Sequence, residues 1–292
     1  MTDGAFLAID WGTTNRRVYR IAADGNVEAT VRTDRGILSM EPAGYAAEVA
    51  AIRAEMGDLP ILCAGMVGSN RGWAEVPYLP CPADIAGLAH ALHWVEPSRT
   101  AIVPGVAWHG TAHADVMRGE EVQLLGATLA GLTPPTALLC QPGTHCKWAW
   151  MEDGRIDRFT TAMTGEIFSL VQRHSLLAAQ MTGKVEAGDA FLRGVADAGE
   201  GDVLARLFGV RADFVTGRTP AGDEASYVSG LLIGTDVWAR KPSQAPAIGL
   251  LADPVLGALY SAAIAAAGGQ ATLVDSHSAF IAGITHIWRH AA

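Results

Sequence analysis

The order of apolar and polar positions predicts strands and helices in mixed succession from the N-terminus onwards. An apolar run ends at Asp10, and the next segment alternates between apolar and polar residues, which is typical of a strand with one buried face. Asp24-Gly25 then predicts a hairpin turn. Strands are predicted at 6–9, 16–22 and 27–33, and a helix at 42–56. The first unit of the chain therefore has the predicted order β-β-β-α.

The same order of elements returns in the middle of the chain. Strands are predicted at 137–140, through Trp148 and Trp150, and at 156–161, and a helix at 165–177. In each copy Gly-Thr lies in the first turn and Asp-Gly in the second. Chance pairing of two common turn dipeptides is the alternative hypothesis, since Gly and Asp are the usual hairpin residues. The shared order of elements favours an internal duplication at domain scale.

The remaining segments complete an α/β pattern. Further strands are predicted at 61–64, 101–103 and 247–251, further helices at 115–129 and 254–267, and an amphipathic segment at the C-terminus. Gly, Thr and two prolines interrupt the pattern at 131–135. We therefore expect two domains, 1–133 and 134–292, each containing one of the repeated units.

Composition and charge narrow the classes of protein and partner. Of the 292 residues 50% are hydrophobic and 17% charged, which is typical of a folded globular chain. A net charge of −9 opposes binding to a polyanion, so no nucleic-acid partner is expected. No run reaches about 18 apolar residues and no basic region precedes an apolar core, so neither a membrane span nor a signal peptide is expected. Four cysteines without CxxC suit reduced thiols and a cytoplasmic location.

The two Gly-Thr turns carry the first chemical prediction. A Gly-Thr turn at a strand end offers backbone N–H groups and a hydroxyl to a phosphate, and glycine allows close backbone approach. The turns are Gly12-Thr13, followed by Thr14 and Asn15, and Gly143-Thr144, followed by His145. Asp10 precedes the first turn and is placed to hold Mg²⁺ against phosphates through water. Together these features predict binding of a nucleotide such as ATP.

Other nucleotide and metal motifs are missing from the sequence. No GxxxxGK[ST] is present and no GxGxxG follows a strand, so the P-loop and Rossmann folds lack their fingerprints. His109 and His113 have zinc-ligand spacing, but Gly110 stands where the zincin pattern needs Glu. His145 and Cys146 are adjacent on a predicted strand and point to opposite faces, so a metal shared with Cys140 is not expected.

The predicted helix at 115–129 contains carboxylates of the kind that accept a proton from a hydroxyl. Asp115 suits both a helix N-cap and a general base that deprotonates a hydroxyl attacking a γ-phosphate. Its rivals as the base are Glu120, Glu121 and Glu166. Several basic residues lie near these motifs and are candidates for an anionic substrate, although such side chains are commonly solvated: Arg71, Arg118, Lys147 and Arg173.

Five segments in order resemble the sugar-kinase branch of the actin–hexokinase–Hsp70 superfamily, and more closely the 2-dehydro-3-deoxygalactonokinases. The resemblance covers almost the whole chain, and the segments are specific as a set. They are Asp10-Trp11-Gly12-Thr13-Thr14-Asn15 with Arg17; Gly65-Met66-Val67-Gly68-Ser69; Asp115-Val116-Met117-Arg118-Gly119-Glu120-Glu121; Pro142-Gly143-Thr144-His145 with Lys147; and Met163-Thr164-Gly165-Glu166.

The resemblance implies a fold, a reaction and roles for residues. It implies two ribonuclease-H-like (actin-like ATPase) domains with an interdomain cleft, and ATP- and Mg²⁺-dependent phosphorylation of the 6-hydroxyl of 2-dehydro-3-deoxy-D-galactonate. Asp115 matches the position of the base. Nucleotide contacts are implied for Asp10, Gly12, Thr13, Thr14, Asn15, Gly143, Thr144, His145, Lys147 and Gly249, and substrate contacts for Gly68, Ser69, Arg71, Arg118 and Glu166.

Two classes of function stay open at this point. One is a small-molecule kinase, whose substrate is the sugar acid named above or another sugar or sugar acid, such as 2-dehydro-3-deoxygluconate. The other is an actin-like ATPase module that hydrolyses ATP to change shape. The short chain favours the kinase, and a requirement for sugar acid in ATP turnover separates the two. Oligomeric state, including a homo-oligomer, is also left open.

Overall fold

The computed structural model describes residues 4–111, 113–218, 222–245 and 247–291, and it confirms the α/β class. The strands are β1 (Phe6–Trp11), β2 (Arg16–Ile21), β3 (Val27–Thr33), β4 (Ile61–Gly65), β5 (Leu79–Pro80), β6 (His93–Glu96), β7 (Thr100–Ile102), β8 (Val106–His109), β9 (Ala114–Met117), β10 (Ala137–Gln141), β11 (Cys146–Glu152), β12 (Arg155–Ala162), β13 (Ile248–Leu251) and β14 (Ala271–Val274). The helices are α1 (Tyr45–Met56), α2 (Ile85–His90), α3 (Glu120–Leu129), α4 (Thr164–His174), α5 (Asp189–Gly199), α6 (Val203–Thr216), α7 (Glu224–Trp238), α8 (Pro254–Ala266) and α9 (Ser276–His290). Within these ranges no helix has the length and apolarity needed to span a bilayer.

The chain forms two compact units, and the first contains the N-terminal residues up to Thr136, residues 149–159 and the segment from Ser276. Its six-stranded sheet has the order β3-β2-β1-β4-β7-β6. Strands β1, β4 and β7 are parallel, while β2 and β3 add antiparallel neighbours on one side. Strand β4 is buried along its whole length, as its continuous apolar run requires. A smaller sheet of order β5-β8-β9 belongs to the same unit.

Helix α3 is fixed in the first unit by close packing on α9. A Cβ atom at Gly126 would lie 1.9 Å from the carbonyl oxygen of Ala279, so only glycine allows this approach. The core beneath the sheet contains Leu7, Ile9, Trp11, Val49 and Cys63, all fully buried. Helix α3 is therefore held against α9 at Gly126.

The second unit contains residues 137–148 and 160–275. Strands β10, β13 and β14 are parallel neighbours in a five-stranded sheet of order β12-β11-β10-β13-β14. Helices α4 to α8 also belong to this unit, and a separate apolar cluster forms around Leu177, Met181 and Val228.

Most predicted elements are confirmed, but the prediction that a helix begins at residue 115 is wrong. Both β-β-β-α units are present, as β1–β3 with α1 and as β10–β12 with α4. Residues 114–117 instead form β9, which pairs with β8 so that Asp115 lies opposite Trp108. Helix α3 begins only at Glu120, because Gly119 has φ 109°, outside the helical region. The domain limit between 133 and 134 stays a prediction.

Candidate active site

In the first unit, three segments meet where the parallel strands end. Trp11 and Gly65 are register partners at the ends of β1 and β4. A Cβ atom at Gly65 would lie 2.8 Å from the carbonyl oxygen of Trp11, and one at Gly119 would lie 3.1 Å from the Cα of Gly65. These glycine contacts bring Asp10 and the start of α3 to the same edge of the sheet. That edge is where α/β proteins commonly bind ligands.

The first Gly-Thr turn is held by a neighbouring loop and exposes its tip. The amide of Ile37 donates to the carbonyl of Gly12 at 3.0 Å, and that of Leu38 donates to the carbonyl of Thr13 at 3.1 Å. Thr13, Thr14 and Asn15 are exposed, and their amides have no hydrogen-bond partner among the described residues. Exposed, unpaired amides on a fixed turn suit a polyphosphate.

Asp10 lies beside this turn with a perturbed carboxyl group. Burial raises the pKa of Asp10 to about 6, the charge of Arg17 opposes the rise, and the negative charge of Glu120 adds to it. In the described ranges no three His, Cys, Asp or Glu side chains form a metal cage. Mg²⁺ held against phosphates needs only one or two protein carboxylates, with waters for the rest. The charge and position of Asp10 fit that role.

Two glutamates begin α3 and bind the turn before it. A carboxylate oxygen of Glu121 accepts from the amide of Gly119 at 2.7 Å, and one of Glu120 accepts from the amide of Arg118 at 3.2 Å. Glu121 is fully buried, and its Oε1 has no hydrogen-bond partner in the part of the chain that the structure describes. Burial, together with the negative charge of Glu120, raises the pKa of Glu121 to about 8. Glu121 is therefore mostly protonated at neutral pH.

Arg118 is a buried cation with spare donors. Its side chain is only 8% exposed, its Nη2 donates to the carbonyl of Val76 at 2.7 Å, and its guanidinium lies 4.3 Å from the ring centroid of Tyr78. Nε and Nη1 have no hydrogen-bond partner among the described residues. Gly68 faces Nη1, since a Cβ atom there would lie 2.9 Å away. Ser69, the next residue, is buried and its hydroxyl donates to the carbonyl of Met66 at 2.7 Å, whereas Arg71 is exposed.

The structure places Asp115 on a strand, so the N-cap interpretation of this residue is wrong. Asp115 lies on β9, partly buried, and its Oδ1 accepts from the amide of Val116 at 2.8 Å. The residue before α3 is Gly119, which provides no side-chain cap. The hairpin of β8 and β9 therefore positions the carboxylate of Asp115. Met117 and Arg118, which follow it by two and three residues, are buried.

In the second unit, the other Gly-Thr turn packs on the start of α4. A Cβ atom at Gly165 would lie 2.4 Å from the carbonyl oxygen of Gly143, so only glycine fits there. The amide of Glu166 donates to the carbonyl of Thr144 at 2.9 Å, and its carboxylate lies 2.6 Å from Nε2 of His145. Glu166 therefore lies against the second Gly-Thr turn. Lys147 follows on β11 and is buried.

A buried carboxylate that the sequence analysis missed supports this turn. Asp236 on α7 accepts from Trp148 Nε1 at 3.0 Å, from the Thr164 hydroxyl at 3.2 Å and from the Tyr260 hydroxyl at 3.4 Å. These bonds connect β11, α4, α7 and α8. Asp236 has no motif around it, so no local signal could have identified it.

An apolar cavity of about 210 Å³ lies beside Gly143 in the same unit. Its wall is formed by residues of α4, α7 and α8 and the segment before α5: Thr164, Gly165, Phe168, Val185, Ser229, Leu232, Ile233, Val255, Leu256, Leu259 and Tyr260. Gly249 lies in the buried strand β13, opposite Leu139 and Thr272, and does not line the cavity.

Comparison with known proteins identifies the family. The chain is 37% identical to a protein of Rhizobium meliloti (strain 1021) named as a 2-dehydro-3-deoxygalactonokinase, over 97% of this chain and 96% of that protein. It is 36% identical to the 2-dehydro-3-deoxygalactonokinase of Escherichia coli (strain K12), over 97% of both.

Two solved structures are similar to this chain, one in sequence and fold and the other in fold alone. A crystal structure described as a 2-dehydro-3-deoxygalactonokinase from Sinorhizobium meliloti matches with a TM-score of 0.89 and 34% identity, covering 97% of this chain and 96% of that one. An activator of 2-hydroxyisocaproyl-CoA dehydratase from Clostridium difficile shares the fold alone, with a TM-score of 0.52 and 10% identity, covering 98% of this chain and 95% of that one. The model of the 2-keto-3-deoxy-galactonokinase family matches residues 10–287, so the resemblance inferred from the motifs is confirmed and the chain belongs to that family.

Proposed function

We propose that this protein transfers the terminal phosphoryl group of ATP to the 6-hydroxyl of 2-dehydro-3-deoxy-D-galactonate. Membership of the kinase family over nearly the whole chain supports the reaction class. The class of substrate is supported by Arg118, which is a buried cation without a carboxylate partner among the described residues. A cation held out of water is costly unless an anion pairs with it, and a sugar acid supplies that anion.

In the first unit, the Gly-Thr turn at Gly12 and Asp10 would hold phosphates of the nucleotide. When bound, ATP supplies the phosphoryl group and Mg²⁺ neutralises charge on its phosphates. The unpaired amides of Thr13, Thr14 and Asn15 bind phosphate oxygens, and Asp10 orients the metal. In the second unit, His145 lies in the other Gly-Thr turn and Lys147 follows it on β11, and both stay proposed nucleotide contacts. The apolar cavity beside Gly143 has a lining that would accept an adenine ring.

Arg118 is the better of the two predicted arginines for the substrate carboxylate. A guanidinium can bind a carboxylate through two parallel N–H donors, and Arg118 has Nε and Nη1 unused. Its position is fixed by Val76 and Tyr78, so little side-chain entropy is lost on binding. Arg71 is exposed and its charge is already solvated.

Asp115 is the proposed general base, because it holds the position that the family resemblance implies for this role. Glu121 is mostly protonated at neutral pH and accepts a proton poorly. Glu166 is paired with His145. Glu120, like Asp115, accepts from one backbone amide and is the alternative base. Asp115 orients the hydroxyl and takes its proton as the phosphoryl group transfers.

The variant Asp115→Asn tests this assignment. We expect kcat to fall by about 10²- to 10⁴-fold, the usual contribution of a positioned base. The melting temperature should stay unchanged, because the amide oxygen of Asn can still accept from the amide of Val116. Stopped assays of ADP release and thermal melts measure both. A kcat near that of the wild type would transfer the role to Glu120 or Glu166.

A coupled assay of ADP release across a panel of sugar acids tests the reaction itself. We expect turnover with 2-dehydro-3-deoxy-D-galactonate, weaker turnover with the gluconate epimer, and little ATP hydrolysis without acceptor. Hydrolysis independent of any acceptor would instead support the ATPase-module alternative.

Use of ATP and the four free cysteines suit a cytoplasmic site of action. We also keep 1–133 and 134–292 as the proposed domains.

A further inference from the structure

Arg32 lies outside every motif of the sequence, yet the sheet aligns it with the first phosphate turn. Asp10 on β1 is the register partner of Arg17 on β2, and Arg17 is the partner of Arg32 on β3. Residues directly opposite one another on neighbouring strands point to the same face of a sheet. Asp10, Arg17 and Arg32 therefore form one row across three strands.

This row borders a cavity of about 150 Å³. The cavity is lined by the turn and by the row: Asp10, Gly12, Thr13, Thr14, Asn15, Arg16, Arg17 and Arg32. Both arginines thus face the same space as the unpaired amides of the turn. Cationic side chains and amide donors converge there, a combination that binds phosphate.

The charges in the row are not balanced by the protein alone. Arg17 donates to the hydroxyl of Tyr19 at 3.3 Å and interacts with the charge of Asp10. Arg32 forms no ion pair with any described residue and is exposed. Like charges directly opposite on antiparallel strands destabilise the pair. An anion between Arg17 and Arg32 would remove that repulsion.

We propose that Arg32, together with Arg17, binds the terminal phosphate of the nucleoside triphosphate. This inference rests on the proposed function. The guanidinium of Arg32 donates to oxygens of that phosphate from the β3 side, opposite the amides of the turn. A diphosphate lacks the group that Arg32 contacts, so Arg32 increases the preference for triphosphate over diphosphate.

Isothermal titration calorimetry with Mg²⁺ and a non-hydrolysable ATP analogue, and separately with ADP, tests the proposal. For Arg32→Gln we expect an approximately tenfold weaker Kd for the analogue, as for loss of a charge-assisted hydrogen bond. The Kd for ADP should change less than about twofold. Arg32→Lys should recover part of the affinity, because it keeps the charge but not the two-pronged geometry. Arg155→Gln, which removes an exposed arginine far along the chain, is the matched control.

Several results would overturn the proposal. Equal affinity of the wild type and Arg32→Gln for the analogue would do so, as would parallel losses for the analogue and ADP. A loss confined to sugar-acid binding would assign Arg32 to the other substrate and also refute it. If the wild type itself bound neither nucleotide, the proposed function would fail. If the wild type binds the ATP analogue and Arg32→Gln binds it equally well, only the Arg32 proposal fails and the proposed function stands.

Discussion

Glu121 gives the sharpest quantitative test of the buried site in the first unit. The variant Glu121→Gln keeps the size of the side chain and an oxygen that can accept from the amide of Gly119. It replaces a titrating group by one that is neutral at every pH. Glutamine is thus a close mimic of the protonated glutamic acid that fills this position at neutral pH.

The sign and size of the effect follow from the raised pKa. Below pH 4.5, the ordinary pKa, the carboxyl is protonated in both the folded and the unfolded chain. Between 4.5 and about 8 the folded chain binds more protons than the unfolded chain, so the free energy of unfolding falls as pH rises. Each pKa unit is worth about 1.4 kcal/mol. The raised pKa of Glu121 therefore lowers the free energy of unfolding of the wild type by up to about 5 kcal/mol at about pH 8 and above.

Urea unfolding followed by tryptophan fluorescence, at intervals from about pH 5 to about pH 8.5, measures the effect. Glu121→Gln should match the wild type within about 1 kcal/mol at the acid end and exceed its stability by several kcal/mol at the alkaline end. Glu55→Gln, the same substitution on the exposed face of α1, is the control for loss of a surface carboxylate. A difference between Glu121→Gln and the wild type that is the same at every pH would refute the buried, protonated state.

The remaining predictions concern the proposed ligands. Asp10→Ala should weaken binding of the Mg²⁺ complex of the ATP analogue by calorimetry but leave the melting temperature near that of the wild type, and unchanged Mg²⁺ dependence would exclude Asp10 from the metal site. Arg118→Gln should raise KM for the sugar acid by roughly ten- to a hundredfold, the value of a lost charged hydrogen bond, with KM for ATP unchanged. Arg71→Gln is the control. A raised KM for the sugar acid in Arg71→Gln but not in Arg118→Gln would assign the substrate carboxylate to Arg71 instead.

Local sequence determined the elements around the site. The alternation on β2 and the apolar runs on β1 and β10 predict strands, and the Gly-Thr turns after them predict phosphate binding, because turn chemistry depends on adjacent residues. The strand positions and the two β-β-β-α units are present as predicted. The same local view failed at Asp115, where good capping chemistry suggested a helix and pairing with β8 produced a strand.

Tertiary structure decided which side chains share a site and in what state of charge. Arg32 lies beside the first Gly-Thr turn only through the register of β1, β2 and β3. That register shifts by one residue between Arg20 and Ile21, so counting back from the Asp24-Gly25 turn would have paired Arg17 with Val31 instead. The unpaired donors of Arg118, the protonated state of Glu121 and the bonds of Asp236 carry no sequence signal. Burial and strand register arise from contacts between segments far apart in the chain, so residue type and spacing cannot determine them.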